Sequence, residues 1–99
     1  RTSNTSASKE RRELTKTLAR VERRIAKLEG EIAATDEKIQ ARDKELAGPE
    51  LYQDHERWTI LMKEREQWVK DQSVLTGQWA DLCEQAEQLR AKLKDLESA

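Results

Sequence analysis

Apolar residues recur along the first half of the chain at alternating steps of three and four positions. This spacing is typical of a helix that lies along another helix. Two positions of the row, Thr35 and Arg42, are polar. The full row is Leu14, Leu18, Val21, Ile25, Leu28, Ile32, Thr35, Ile39, Arg42 and Leu46. It predicts a first long helix over about residues 9–47.

The second half of the chain repeats the pattern as two interleaved rows, which predict a second helix over about residues 54–97. One row is Leu61, Trp68, Leu75, Leu82, Leu89 and Leu96. The other is Trp58, Arg65, Gln72, Trp79, Ala86 and Leu93. Gly48 and Pro49 interrupt the helical pattern and predict a tip over residues 48–53, because proline cannot continue a helix.

Two long helices joined by so short a tip must be antiparallel neighbours. The predicted fold class is therefore all-α, a two-helix antiparallel coiled-coil hairpin over residues 9–99. Residues 1–8 are small and polar apart from Arg1, and we predict a flexible linker there. The register that pairs Leu18 with Leu89 also sets Thr35 opposite Gln72 and Arg42 opposite Arg65, so the polar exceptions of the two rows coincide.

Composition agrees with a narrow hydrophobic seam rather than a thick core. Of the 99 residues, 39% are charged and 4% are aromatic. The single cysteine, Cys83, excludes an internal disulfide and favours a reducing compartment such as the cytoplasm. No apolar run approaches the roughly 20 residues that span a bilayer, so no membrane partner is expected. The chain begins with arginine rather than methionine, which suggests a piece of a longer protein.

Charge is distributed unevenly along the chain. Residues 1–28 carry nine Lys and Arg against three Glu, a net charge of +6, whereas the other 71 residues carry ten against 17 acids, a net charge of −7. Helical spacing places most of the cations on one outward face of the first helix. The candidate nucleic-acid-binding residues are Lys9, Arg12, Lys16, Arg20, Arg23, Arg24 and Lys27. We call this set the basic stripe, and it suits a phosphate backbone.

The stripe has a simpler interpretation, a solvated flank that keeps a coiled coil in solution. The acidic residues Asp81, Glu84, Glu87 and Asp95 are expected on the outward face of the second helix. No element that would read base edges is recognisable, so any binding is expected to use backbone and shape. The chain shows no nucleotide-binding GxxxxGK[ST] loop and no His or Cys pair at metal-binding spacing, and we predict no catalytic, metal or cofactor site in it.

Three short motifs occur in an order and spacing that resemble the C-terminal coiled-coil domain of the ABC-F ATPases, especially the Uup-like branch. They are residues 9–14 (KERREL), residues 46–52 (LAGPELY) and residues 78–82 (QWADL). The resemblance covers about residues 9–96, and Gln78 stands where the family usually carries arginine. It implies that the domain follows two ATP-binding cassettes, which would bind ATP and Mg²⁺ and be its partners within the parent protein.

The resemblance also implies a target class. In the Uup-like branch the domain is associated with DNA binding, while related members act on ribosomes, so DNA and ribosomal RNA are both expected partners. A similar arm of valyl-tRNA synthetases touches tRNA, which leaves a tRNA-binding arm as an alternative. A protein-interaction or spacer hairpin is the alternative from a different class. A monomer is expected, because Gly48 and Pro49 disfavour one unbroken helix.

Overall fold

A computed structural model describes the backbone of residues 2–98 and the side chains of residues 6–98. Helix α1 spans Thr2–Leu46, a turn of 3-10 helix spans Leu51–Gln53, and helix α2 spans His55–Ser98. The described residues include no strand, and the predicted all-α antiparallel hairpin is confirmed. No helix in this part of the chain is both long enough and apolar enough to cross a membrane.

The start of α1 differs from the prediction. The helix begins at Thr2 rather than near Lys9, so most of the segment predicted as a linker is helical. Once a helix is nucleated, each added residue gains a backbone hydrogen bond without a new nucleation cost, so a long helix extends into residues of modest helix propensity. Ser6–Ser8 are exposed. Arg1, Ala99 and the side chains of residues 2–5 lie outside the described part, and the flexibility predicted for residues 1–8 stays a prediction.

The first helix ends at the break that Gly48 and Pro49 predict. The amide of Ala47 donates to the carbonyl of Asp43 at 3.1 Å, and the amide of Gly48 then donates to Glu45 at 3.1 Å, three residues back. Pro49 has no amide hydrogen to extend the ladder. Gly48 keeps an ordinary negative-φ backbone, so the helix ends without a left-handed glycine.

Asp54 directly precedes the return helix. Its carboxylate Oδ1 accepts a hydrogen bond from the backbone amide of Arg57 at 3.1 Å, which is an N-cap arrangement.

The predicted seam is the buried side of both helices. Every position of the three apolar rows is buried or half-buried, and the polar exceptions Thr35, Arg42, Arg65 and Gln72 are among them. The most deeply buried side chains on the seam are Val21, Leu28, Ile39, Leu82 and Ala86. Leu51 closes the tip and is 7% exposed. A seam of this kind is the whole core that so polar a composition can build.

The contacts divide the chain into two units. One joins the segment up to Lys27 with the segment from Gln78, and the other is Leu28–Gly77. In the first, Ala86 is 1% exposed and Val21 is 8% exposed. An alanine so well covered indicates that the two helix backbones approach closely there.

In the Leu28–Gly77 unit, polar contacts agree with the predicted register. Arg42 was predicted to lie opposite Arg65, and its guanidinium Nη1 donates to the carbonyl of Leu61 at 2.8 Å and lies 3.8 Å from Glu64. The side-chain amide Nε2 of Gln72 donates to the backbone carbonyl of Ile32 at 3.3 Å. These pairs fall within one helical turn of the predicted partners, and a shift by a heptad would separate all of them.

The polar seam positions find partners other than each other. Thr35 donates its hydroxyl to the carbonyl of Glu31 in its own helix, so it leaves Gln72 to reach Ile32. Arg42 lies over the ring of Trp68, with its guanidinium carbon 4.5 Å from the ring centroid. It also pairs with Glu45 at 3.0 Å. Each polar group on the seam is therefore satisfied.

Arg65 is the second arginine of the seam, and its guanidinium donates to the carboxylate of Asp43 on the facing helix. This hydrogen bond lowers the pKa of Asp43 below its ordinary value near 3.8; a smaller desolvation effect opposes the shift and the charge of Arg65 adds to it. A carboxyl whose folded-state pKa is lowered adds stability above its unfolded pKa and loses it as the pH falls through the folded pKa.

We therefore expect acid to destabilise the wild-type hairpin more than the D43N variant at pH values below about 4. The free energy of unfolding from urea titrations across this range measures the difference, and the other carboxylates cancel in the comparison. D36N, at an exposed aspartate of the same unit, is the control. Parallel pH profiles for the wild type and D43N would contradict the role assigned to the Asp43–Arg65 pair.

Candidate nucleic-acid interface

The basic stripe lies entirely on α1, within the unit that joins the segment up to Lys27 with the segment from Gln78. All seven of its side chains are exposed, as the outward face of a heptad predicts. With a rise of 1.5 Å per residue, the interval from Lys9 to Lys27 is about 27 Å long. Double-stranded nucleic acid of that length carries about 16 phosphates at one charge per ~1.7 Å. The phosphates therefore outnumber the seven cations of the stripe.

The cations of the stripe form no ion pair with the side chains that the structure describes. The ion pairs of Arg42 with Glu45 and Glu64, and of Arg65 with Asp43, lie outside the stripe. The positive charges of the stripe are therefore directed into solvent. Exposed, unpaired cations attract a polyanion without first having to break an internal contact.

The stripe is also costly to the helix that carries it. Lys16 and Arg20 are four residues apart, and so are Arg20 and Arg24, and Arg23 and Lys27. Like charges at this spacing lie side by side and each pair destabilises a helix by about 0.2–0.5 kcal/mol. A flank whose role is solubility is better served by mixed charges. This cost favours a functional interpretation of the stripe.

Small side chains border the stripe. Thr15, Ala19 and Ala26 line a shallow depression of about 440 Å³ together with Leu18, Glu22 and Arg23. Because the alanine and threonine side chains are short, the surface beside Arg23 is recessed, and a bulky partner meets little steric obstruction there.

One further cation lies in the same segment. Arg11 is exposed, although it falls three positions before Leu14 and so continues the seam pattern. Arg11 is not among the predicted stripe residues, and it adds to the positive charge at this end of α1.

The remaining chemistry-bearing residues are dispersed. Asp81, Glu84, Glu87 and Asp95 are exposed on α2, as predicted. His55 is exposed and Cys83 is half-buried. Within the described residues, no group of three or more His, Cys, Asp and Glu side chains is placed to hold a metal ion.

Trp68 and Trp79 are half-buried on the seam, as predicted. Trp58 is half-buried and lines a cleft at the tip with Leu51, Tyr52 and His55. The sequence placed Trp58 near the tip but did not indicate the cleft.

Comparison of the chain with protein families, curated proteins and solved structures gives no match.

Proposed function

We propose that this hairpin binds nucleic acid, DNA or ribosomal RNA, through its phosphate backbone and without reading base sequence. The observation that supports this proposal is the basic stripe, seven exposed Lys and Arg side chains on one helix with no acidic partner among the described residues. Lysine and arginine contacts to phosphate position a protein on a duplex but carry no sequence information.

The proposal includes a context. We propose that the hairpin follows two ATP-binding cassettes in a cytoplasmic ATPase, because its short motifs resemble those of the Uup-like ABC-F proteins. In that context the cassettes hold ATP and Mg²⁺, and the hairpin supplies an arm that grips nucleic acid. The arm acts as a monomer and has no catalytic residues of its own.

The test is a charge reversal on the stripe. In the variant R20E/R23E/K27E, we expect affinity for a fluorescently labelled duplex to fall at least about tenfold, because three phosphate contacts are lost and three repulsions appear. Fluorescence anisotropy at constant salt measures the affinity, and circular dichroism checks that the helices persist.

The chain offers a matched control in the same unit. R90E/K92E/K94E reverses three exposed cations of α2 and changes the net charge by the same amount. We expect it to lose much less affinity than the stripe variant. Equal losses would assign the binding to net charge alone, and no loss in either variant would favour a spacer hairpin. Competition with DNA, ribosomal RNA and tRNA separates the three polyanions.

A further inference from the structure

The tip of the hairpin presents an aromatic side chain that the fold does not use. Tyr52 is 87% exposed, more than Ile60, Val69 or Val74, which are the other large exposed apolar residues described. It belongs to the 3-10 turn Leu51–Gln53, between the ends of the two helices. Because Tyr52 covers nothing in the hairpin, removing it should not disturb the fold.

The backbone that carries Tyr52 is held by successive hydrogen bonds. The amide of Leu51 donates to Gly48 at 3.3 Å, and the amide of Asp54 donates to Leu51 at 3.1 Å. The Leu51 side chain is buried beneath the turn. A tip fixed in this way has little backbone conformational entropy to lose on binding.

Tyr52 borders an apolar cleft. Together with Leu51, His55 and Trp58 it lines a space of about 320 Å³ that opens to solvent. The rings of His55 and Trp58 are nearly parallel, with 10° between their planes and 6.4 Å between their centroids. Tyrosine and tryptophan are among the residue types that contribute most to binding at protein interfaces.

Cations of this chain already lie over one of its tryptophan rings. The ring of Trp68 is covered by two cations of its own chain, Lys38 at 5.0 Å and Arg42 at 4.5 Å from the centroid. No cation among the described residues lies over Trp58 or Tyr52. The negative face of the exposed Tyr52 ring is therefore available to a cation from another molecule.

The charge around the cleft selects the partner. Gly48–Trp58 carries three carboxylates, Glu50, Asp54 and Glu56, and a single arginine, Arg57, for a net charge of −2 with neutral histidine. This charge repels a phosphate backbone and attracts a cationic chain. An unpaired strand of nucleic acid could stack its bases on Tyr52, but its phosphates would then lie among carboxylates.

We propose that the tip is a docking site for a protein segment rich in arginine or lysine and interrupted by aliphatic residues. An aliphatic side chain of the segment fills the cleft lined by Leu51 and Trp58. The guanidinium or ammonium groups of the same segment lie over the ring of Tyr52 and near Glu50 and Glu56. The site uses none of the seven cations of the basic stripe, so it stands independently of the proposed nucleic-acid binding.

The probe is a short peptide that alternates arginine and leucine, titrated into the isotopically labelled full chain. We expect the backbone amide signals of Leu51–Trp58 to shift, and the Y52A variant to bind at least about fivefold more weakly. V74A is the matched control, because Val74 is 60% exposed on α2 of the same unit. E50Q/E56Q should also weaken binding, while the stripe variant R20E/R23E/K27E should bind the peptide as the wild type does.

Four results would overturn the docking site. The first is an absence of amide shifts at the tip, and the second is equal peptide affinity of the wild type and Y52A. The third is equal binding of a peptide with glutamate in place of arginine. The fourth is that a single-stranded oligonucleotide shifts the tip signals and that Y52A abolishes those shifts. The last result would assign the tip to base stacking instead. Failure of duplex binding with normal peptide binding would contradict only the basic stripe.

Discussion

Raising the salt concentration from about 50 to about 200 mM is expected to weaken duplex binding by about a thousandfold. Each phosphate neutralised by a lysine or arginine releases a counterion, and salt opposes that release. The basic stripe offers seven exposed cations, and about six simultaneous contacts would account for a loss of this size. The slope of log affinity against log salt concentration counts the contacts directly.

The slope separates the stripe from other modes of binding. In R20E/R23E/K27E the magnitude of the slope should fall by the equivalent of about three phosphate contacts, whereas in R90E/K92E/K94E it should stay near the wild-type value. The slope for an unrelated duplex sequence should be the same as for the first, because the stripe makes no base contacts. Affinity that is insensitive to salt, or that depends strongly on sequence, would rule out a phosphate-backbone mechanism.

Replacing Trp68 by alanine is expected to destabilise the hairpin by about 2–3 kcal/mol, the largest effect we expect for a single seam residue. Trp68 is half-buried, and its ring lies beneath Lys38 and Arg42 on the facing helix. The substitution removes the packing of the ring and both cation–π contacts, and it leaves a space beside Arg42. Urea unfolding followed by circular dichroism gives the free energy.

Two controls keep this prediction specific. I60A removes an exposed side chain of the same helix, 57% exposed, and should change stability by less than about 0.5 kcal/mol. A double-mutant cycle of R42A with W68A should show a coupling energy of about 0.5–2 kcal/mol, because the two side chains touch. A W68A variant as stable as I60A, or a cycle with no coupling, would contradict the role of this contact.

Local pattern explains why much of the hairpin could be predicted. The seam from Leu14 to Leu46 depends on steps of three and four along one helix, and each of its positions is buried or half-buried. The outward direction of the basic stripe follows from the same periodicity, because residues off the seam face water. Gly48 and Pro49 end α1 within one residue of the predicted position, since proline cannot supply the next amide.

The start of α1 could not be read in the same way. Residues 2–8 contain no apolar row, and sequence reasoning assigned them to a linker, yet the helix begins at Thr2. Hydrophobic periodicity reports burial against a partner and is silent about a helical extension that buries nothing. Small residues at the end of a long helix remain helical because propagation costs far less than nucleation.

By itself, the sequence determined two helices, the face that each buries, the turn between them and the exposure of seven cations. These features depend on residues close together along the chain. Only the tertiary structure decided that Arg42 lies over the Trp68 ring, that Asp43 accepts a hydrogen bond from Arg65, and that Tyr52 is exposed at the tip. The two contacts join side chains that are distant in sequence, and the exposure of Tyr52 depends on how the turn packs; both depend on how the two backbones approach, which periodicity does not encode.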